Sequence, residues 1–111
     1  MKEAAIEKYL REQVEKHGGM CEKFTSPGSR DVPDRIITWV NGKIDFVEVK
    51  APGQKPRPGQ LRDHNERRMR GCTVLVIDSK KAVDEYVRSR SAYWAILLEI
   101  GPDGVDVAGA G

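Results

Sequence analysis

Cysteine is scarce, long apolar runs are missing, and neither internal repeats nor low-complexity tracts occur in the 111 residues. The two cysteines, Cys21 and Cys72, sit beside apolar neighbours. That excludes a disulfide-stapled secreted scaffold and leaves buried free thiols as the expectation. With His17 and His64 they form no CxxC or HxxxH spacing, which argues against a zinc site. The longest apolar run, Ala92 to Leu98, falls far short of the roughly 20 residues that cross a bilayer. The charged start Met1-Lys2-Glu3 is followed by no signal-like apolar segment. A cytoplasmic protein that does not engage a membrane is therefore expected. The 39% hydrophobic content is enough for the core of one domain.

A formal charge of +2 conceals an uneven distribution. Between positions 50 and 70 stand Lys50, Lys55, Arg57, Arg62, Arg67, Arg68 and Arg70 against Asp63 and Glu66, seven basic residues to two acidic, a local balance of +5. Such a segment can neutralise phosphates. Taken alone it reads better as the solvated face of a helix with ordinary surface charge.

Periodicity supplies the elements. Ala5, Ile6, Tyr9, Leu10, Gln13 and Val14 recur at helical spacing between Lys2 and His17, and Gly18-Gly19 ends that run. Met20 to Phe24 fits a short strand, and Thr25 to Arg30 a loop broken by Pro27 and Gly28. Arg35–Val40 and Lys43–Lys50 are rich in β-branched and aromatic residues and flank Asn41-Gly42, a strong hairpin signal. Three prolines make Ala51 to Pro58 an extended loop, and a polar helix over Gly59–Arg70 is expected to turn Leu61, Asn65 and Met69 inward. Cys72 to Ile77 reads as a strand covered on both faces. A last helix follows Ser79 as N-cap, with Ala82, Val83, Tyr86 and Val87 inward. Tyr93 to Ile100 is expected to form a further strand, turning at Gly101-Pro102-Asp103-Gly104 into Val105 to Val107, with a disordered end at 109–111. The order helix, strand, hairpin, helix, strand, helix predicts an α/β sandwich with a mixed central sheet.

The hairpin gathers the chemistry. Asp34 opens its first strand and Glu48-Val49-Lys50 closes its second, so folding at Asn41-Gly42 brings these side chains to one end of the sheet. Glu48 and Lys50, two residues apart, share a face. Two carboxylates around one point repel unless a cation lies between them, and hard oxygen donors with room for water suit Mg²⁺. A lysine alongside can stabilise negative charge developing on a phosphate. Read from the residues alone, the same trio also fits a loop-ending aspartate beside a surface Glu–Lys pair. Register discriminates. A two-residue Asn41-Gly42 loop pairs Arg35 with Glu48 and puts Asp34 on the opposite face. A three-residue loop, Val40-Asn41-Gly42, pairs Asp34 with Glu48.

Pro33-Asp34 with Glu48-Val49-Lys50 resembles the PD…(D/E)xK nuclease motif. The wider set resembles the virus-type replication-repair nuclease (VRR-NUC) domain over roughly residues 3 to 87: Thr25-Ser26-Pro27-Gly28, Val32-Pro33-Asp34-Arg35, Phe46 to Gly53, Gln60 and Gly71-Cys72-Thr73-Val74. Asp31 departs from it, standing where the family often has glycine. The resemblance implies a restriction-endonuclease-like α/β sandwich, its mixed sheet flanked by helices, over residues 1–90; residues 91–111 are read as an extension beyond it, whose expected strand would be available for dimer contacts. It implies that Asp34, Glu48 and the backbone carbonyl of Val49 ligate Mg²⁺, with Mn²⁺ able to substitute, and that Lys50 orients or activates the attacking water. Gln60 becomes an auxiliary site residue, and Glu3, with Glu7 as the alternative, a residue reaching the metal or its water shell. Lys55, Arg57, Arg62, Arg67 and Arg68 would bind phosphates of DNA. The implied reaction is Mg²⁺-dependent hydrolysis of DNA phosphodiesters with selectivity for structure. Isolated members resemble Holliday-junction resolvases, so a homodimer acting on four-way DNA in a bacterial cell or phage-infected host is expected.

Overall fold

The computed structural model describes residues 2–100. Their elements run α1 (Glu3–Lys16), β1 (Met20–Lys23), β2 (Arg35–Thr38), β3 (Ile44–Val49), α2 (Pro58–Met69), β4 (Thr73–Ile77) and α3 (Lys80–Ile100). The four strands lie in the order β1-β2-β3-β4. The first two pairings are antiparallel and the third, β3 with β4, is parallel. Parallel neighbours need a crossover connection, and α2 supplies it. The architecture is the α/β sandwich with a mixed sheet that the element order predicts. None of the described helices is long and apolar enough to cross a membrane.

Strand alternation divides the sheet into two unlike faces. On one, Ile37, Trp39, Val47, Val49 and Ile77 meet Ile6, Leu10 and Val14 of α1 and Val83, Tyr86 and Val87 of α3. This is the hydrophobic core. It also buries Cys21, whose thiol is pushed up to about 11 chiefly by that burial. Both cysteines are free thiols, Cys72 only partly covered.

The other face carries Phe46 and Glu48 and is covered by α2, whose packing is polar. The helix does not present Leu61, Asn65 and Met69 inward: Leu61 is 44% and Met69 80% exposed, and Asn65 is exposed too. Gln60 and His64 are buried instead, with Arg67 half-buried one turn further on. The spacing is helical but its members are polar, because the surface beneath contains a buried carboxylate that needs donors.

Ser79 caps α3 as expected, its Oγ accepting the Ala82 N–H at 3.0 Å. Tyr93 to Ile100 is not a strand; it continues α3. No glycine or proline interrupts the chain from Lys80 to Ile100, so nothing ends the helix before Gly101-Pro102. The extension expected from residue 91 thus begins inside α3. The turn and strand expected at 101–107 and the disordered end at 109–111 lie outside the described residues.

At the hairpin end of β3, Asp45 is fully buried within a polar knot. Tyr86 donates its hydroxyl to Asp45 Oδ2 at 2.6 Å, Trp39 Nε1 donates at 3.2 Å, and Arg90 donates through Nε and Nη2 at 2.8 Å each. Burial and the bond to Asp45 raise the Tyr86 pKa, so the hydroxyl remains a donor. The knot ties α3 to the sheet through partners that satisfy a buried charge.

Candidate active site

The β2–β3 turn sets the site. Trp39 donates its N–H to the Lys43 carbonyl at 2.9 Å, and Gly42 donates back to the Trp39 carbonyl at 2.8 Å. The loop is therefore the three residues Val40-Asn41-Gly42. Gly42 sits at φ +83°, a conformation that glycine adopts without the steric penalty of a side chain, and Asn41 Oδ1 accepts the Lys43 N–H at 3.1 Å. The pairs Thr38–Ile44, Ile37–Asp45, Ile36–Phe46 and Arg35–Val47 follow. One step further, Asp34 stands opposite Glu48, and opposed residues of an antiparallel pair share a face.

Past Arg35 the regular ladder stops, and the Asp34 side chain takes over: its Oδ2 accepts the Val49 N–H at 2.8 Å. Because β3 meets β4 through the Lys50 N–H, which donates to the Ile77 carbonyl at 2.9 Å, alternation turns both backbone groups of Val49 toward Asp34's edge. The carbonyl of Val49 thus faces the same opening as the carboxylate of Asp34.

Glu48 is 2% exposed. Its Oε2 lies 3.3 Å from Lys50 Nζ and accepts a hydrogen bond of 3.0 Å from Gln60 Nε2. Gln60 in turn accepts the Arg57 N–H at 2.8 Å through Oε1, so the first turn of α2 fixes the amide and shows which end is the donor. Burial first, and the neighbouring Asp34 second, push the Glu48 carboxyl up to about 7, with Lys50 pulling the other way. Glu48 Oε1 is buried and accepts no hydrogen bond. Facing it at 3.8 Å is Nε2 of His64, fully buried, with neither ring nitrogen partnered. Burial, and secondarily Arg68, lower the pKa of that imidazole.

Asp34, Glu48, Lys50 and Gln60 are thus brought together. Glu3 is not: it is exposed on α1, and among the described residues no third acidic, histidine or cysteine side chain joins a metal-holding group. Glu7 accepts a 2.8 Å bond from Arg35 Nε. Arg35 neighbours Asp34 in the chain but points to the opposite face, toward α1. Of the basic residues, Lys55, Arg57 and Arg62 are exposed, Arg57 lying 3.5 Å from Asp31. Arg67 is committed inward, bonded to Asp63 at 2.8 Å and stacked on Phe24 and Phe46 at 5.0 and 4.9 Å. Arg68 donates to the Val74 carbonyl at 2.8 Å. Asp31 packs over the start of α2, where a Cβ on Gly59 would come within 2.5 Å of its Oδ2. There its charge complements the helix dipole rather than entering the carboxylate pair.

The donor set fits a hard dication. Two carboxylates share a face, one buried oxygen lacks a partner, and the desolvated Glu48 gains from a neighbouring positive charge. Two carboxylates with no third side-chain ligand among the described residues would leave positions for water around a hard divalent cation. From sequence His64 is weighed only as a zinc ligand and set aside, although its place one turn after Gln60 is a usable signal for this site, since residues four apart share a helix face.

No protein-family profile matches the chain. A curated relative, "Putative nuclease p44" of Acyrthosiphon pisum secondary endosymbiont phage 1, is 52% identical over 80 residues, 72% of this chain and 86% of the relative. A solved structure described as a VRR_NUC domain superposes with a TM-score of 0.75 at 38% identity, covering 79% of this chain and 96% of that one. On sequence and fold together, the chain belongs to the VRR-NUC nuclease family.

Proposed function

We propose that this protein is a Mg²⁺-dependent, structure-selective DNA endonuclease that acts as a homodimer on branched or four-way DNA, with Mn²⁺ able to replace Mg²⁺. The observation that carries the reading is the meeting of Asp34 and Glu48 on one sheet face, with Lys50 and Gln60 at the same carboxylate. Asp34, Glu48 and the Val49 carbonyl would hold the cation. When bound, it acidifies water and neutralises charge on the phosphate.

The chain's own groups do the rest. Gln60 holds Glu48 in one orientation. Lys50, whose side chain is 12% exposed, orients the attacking water and stabilises charge on the phosphate. Lys55, Arg57 and Arg62 bind flanking phosphates, with Arg68 beside them, which gives affinity with little sequence preference. Arg67 acts chiefly by packing.

Two symmetric cuts across a junction need two identical sites, which a C₂ dimer provides. Residues 1–90 form the nuclease domain in this reading, and 91–111 contribute dimer contacts. The place of action is the cytoplasm of a bacterium or phage-infected host, in repair or processing of branched DNA. Cleavage of matched linear, flap and four-way substrates tests the proposal: paired, symmetric incisions in the four-way substrate support it. Binding that persists in chelator, without cleavage under any divalent cation, would replace it with a DNA-binding module. Cuts confined to one base sequence would replace it with a restriction-type enzyme.

A further inference from the structure

Glu48 is held unevenly. Its Oε2 is engaged by Gln60 at 3.0 Å and Lys50 at 3.3 Å, whereas Oε1, itself buried, accepts nothing. A carboxylate fixed at one oxygen can still swing about its terminal bond, and a ligand that swings costs metal affinity. The group facing the free oxygen is the His64 imidazole, 0% exposed and 3.8 Å away. That separation is about 0.6 Å beyond the upper end of an N–H···O bond, so the carboxylate must rotate toward the ring for the bond to form.

His64 has no other evident reason to be buried. Both ring nitrogens lack partners, an arrangement that costs free energy unless an unmade bond is available nearby. Gln60 and His64 stand one turn apart on the inward stripe of α2 and flank the two oxygens of one side chain. A carboxylate offers about four lone-pair positions, so it can accept both helix donors and Lys50 and still ligate a cation.

From this geometry we propose that His64 is a positioning residue: its Nε2–H serves Glu48 Oε1 as Gln60 serves Oε2, and α2 thereby clamps the metal-binding carboxylate from both sides. The inference rests on the metal-site reading above. It concerns His64 acting through Glu48, without direct contact to cation or DNA.

Mn²⁺ binding to the DNA-free protein, measured by calorimetry, tests it without reference to activity. His64→Leu, or His64→Phe should the leucine variant not fold, weakens Mn²⁺ binding by about 10-fold or more, the range typical of partners that orient metal ligands. His64→Gln, which places an amide donor at similar reach, restores most of it. That rescue separates positioning from simple core filling, because leucine and phenylalanine fill the space at least as well as glutamine but offer no donor. Unchanged Mn²⁺ binding in a folded His64→Leu or His64→Phe protein, with binding lost in Glu48→Gln, overturns the role of His64 alone. Unchanged binding in Glu48→Gln overturns the metal site and this inference together.

Discussion

Asp34 Oδ2 receives the Val49 N–H at 2.8 Å, so the aspartate carboxylate occupies the place where the next rung of the β2–β3 ladder would have been. That bond fixes Asp34 against the strand end that carries Glu48 and Lys50. Its existence depends on register, which is set by the pairing of Trp39 with Lys43 at the base of the turn.

Deleting Val40 tests this dependence. The residue is 66% exposed, and its removal leaves Asn41-Gly42 as a two-residue loop that still pairs Trp39 with Lys43. Asp34 stays opposite Glu48, and nuclease activity is expected to remain near that of the parent protein. Inserting one strand residue between Arg35 and Thr38 instead turns Asp34 to the other face, and is expected to abolish cleavage while circular dichroism still reports a folded protein.

The pH dependence follows from Glu48, whose carboxyl is pushed up to about 7 by burial and by Asp34. Its folded pKa lies above the ordinary carboxyl value of 4.5, so the folded state binds the proton more tightly than the unfolded chain does. Stability from this group is complete below about 4.5 and is lost as pH rises through about 7. Glu48→Gln is therefore expected to stabilise the metal-free protein at pH 8 by up to a few kcal/mol, since each tenfold difference in proton affinity is worth about 1.4 kcal/mol, and to give little gain at pH 4.5. Denaturant unfolding at the two pH values checks the sign. Metal affinity of the parent protein should run the other way, rising with pH toward a plateau above about 7, because the ligating form is the ionised one.

Arg90 and Arg67 separate stability from chemistry. Arg90→Ala removes two charge-assisted hydrogen bonds from the buried Asp45, which keeps Tyr86, Trp39 and, at 3.7 Å, Lys43, and is expected to cost about 2 kcal/mol. Yet it should leave Mn²⁺ affinity unchanged, since Asp45 and Glu48 point to opposite faces of β3. Arg67→Ala removes a guanidinium stacked on two phenylalanines and bonded to Asp63, and should lower the melting temperature more than it lowers DNA affinity.

Lys55 and Arg62 should behave inversely. Each alanine variant is expected to retain the parent stability, weaken binding across all DNA sequences, and reduce the slope of log affinity against log salt by about 0.9 for each phosphate that is no longer neutralised. Titrations at several salt concentrations measure that slope.

Much of the site was legible because a hairpin follows arithmetic: Asn41-Gly42 marked the turn, and period-two alternation left few registers to weigh. The inward face of α2 was not legible. Its buried members Gln60 and His64 are polar, so hydrophobic periodicity pointed to Leu61 and Met69 on the exposed side. Asp45 was hidden for a similar reason, since its partners Tyr86 and Arg90 are some forty residues away. Tyr93 to Ile100 misled because a short apolar run fits strand and helix alike. Length decides such cases, and α3 has 21 residues.

Incision of a four-way DNA substrate in Mg²⁺ by the parent protein, Asp34→Ala and Lys50→Ala tests the account most directly. The parent protein is expected to cut. Both variants should fold and bind DNA but lose more than about 100-fold in rate, beyond the 10–100-fold typical of groups that only support metal ligands. Cleavage by a folded Asp34→Ala protein at the parent rate would contradict the assignment.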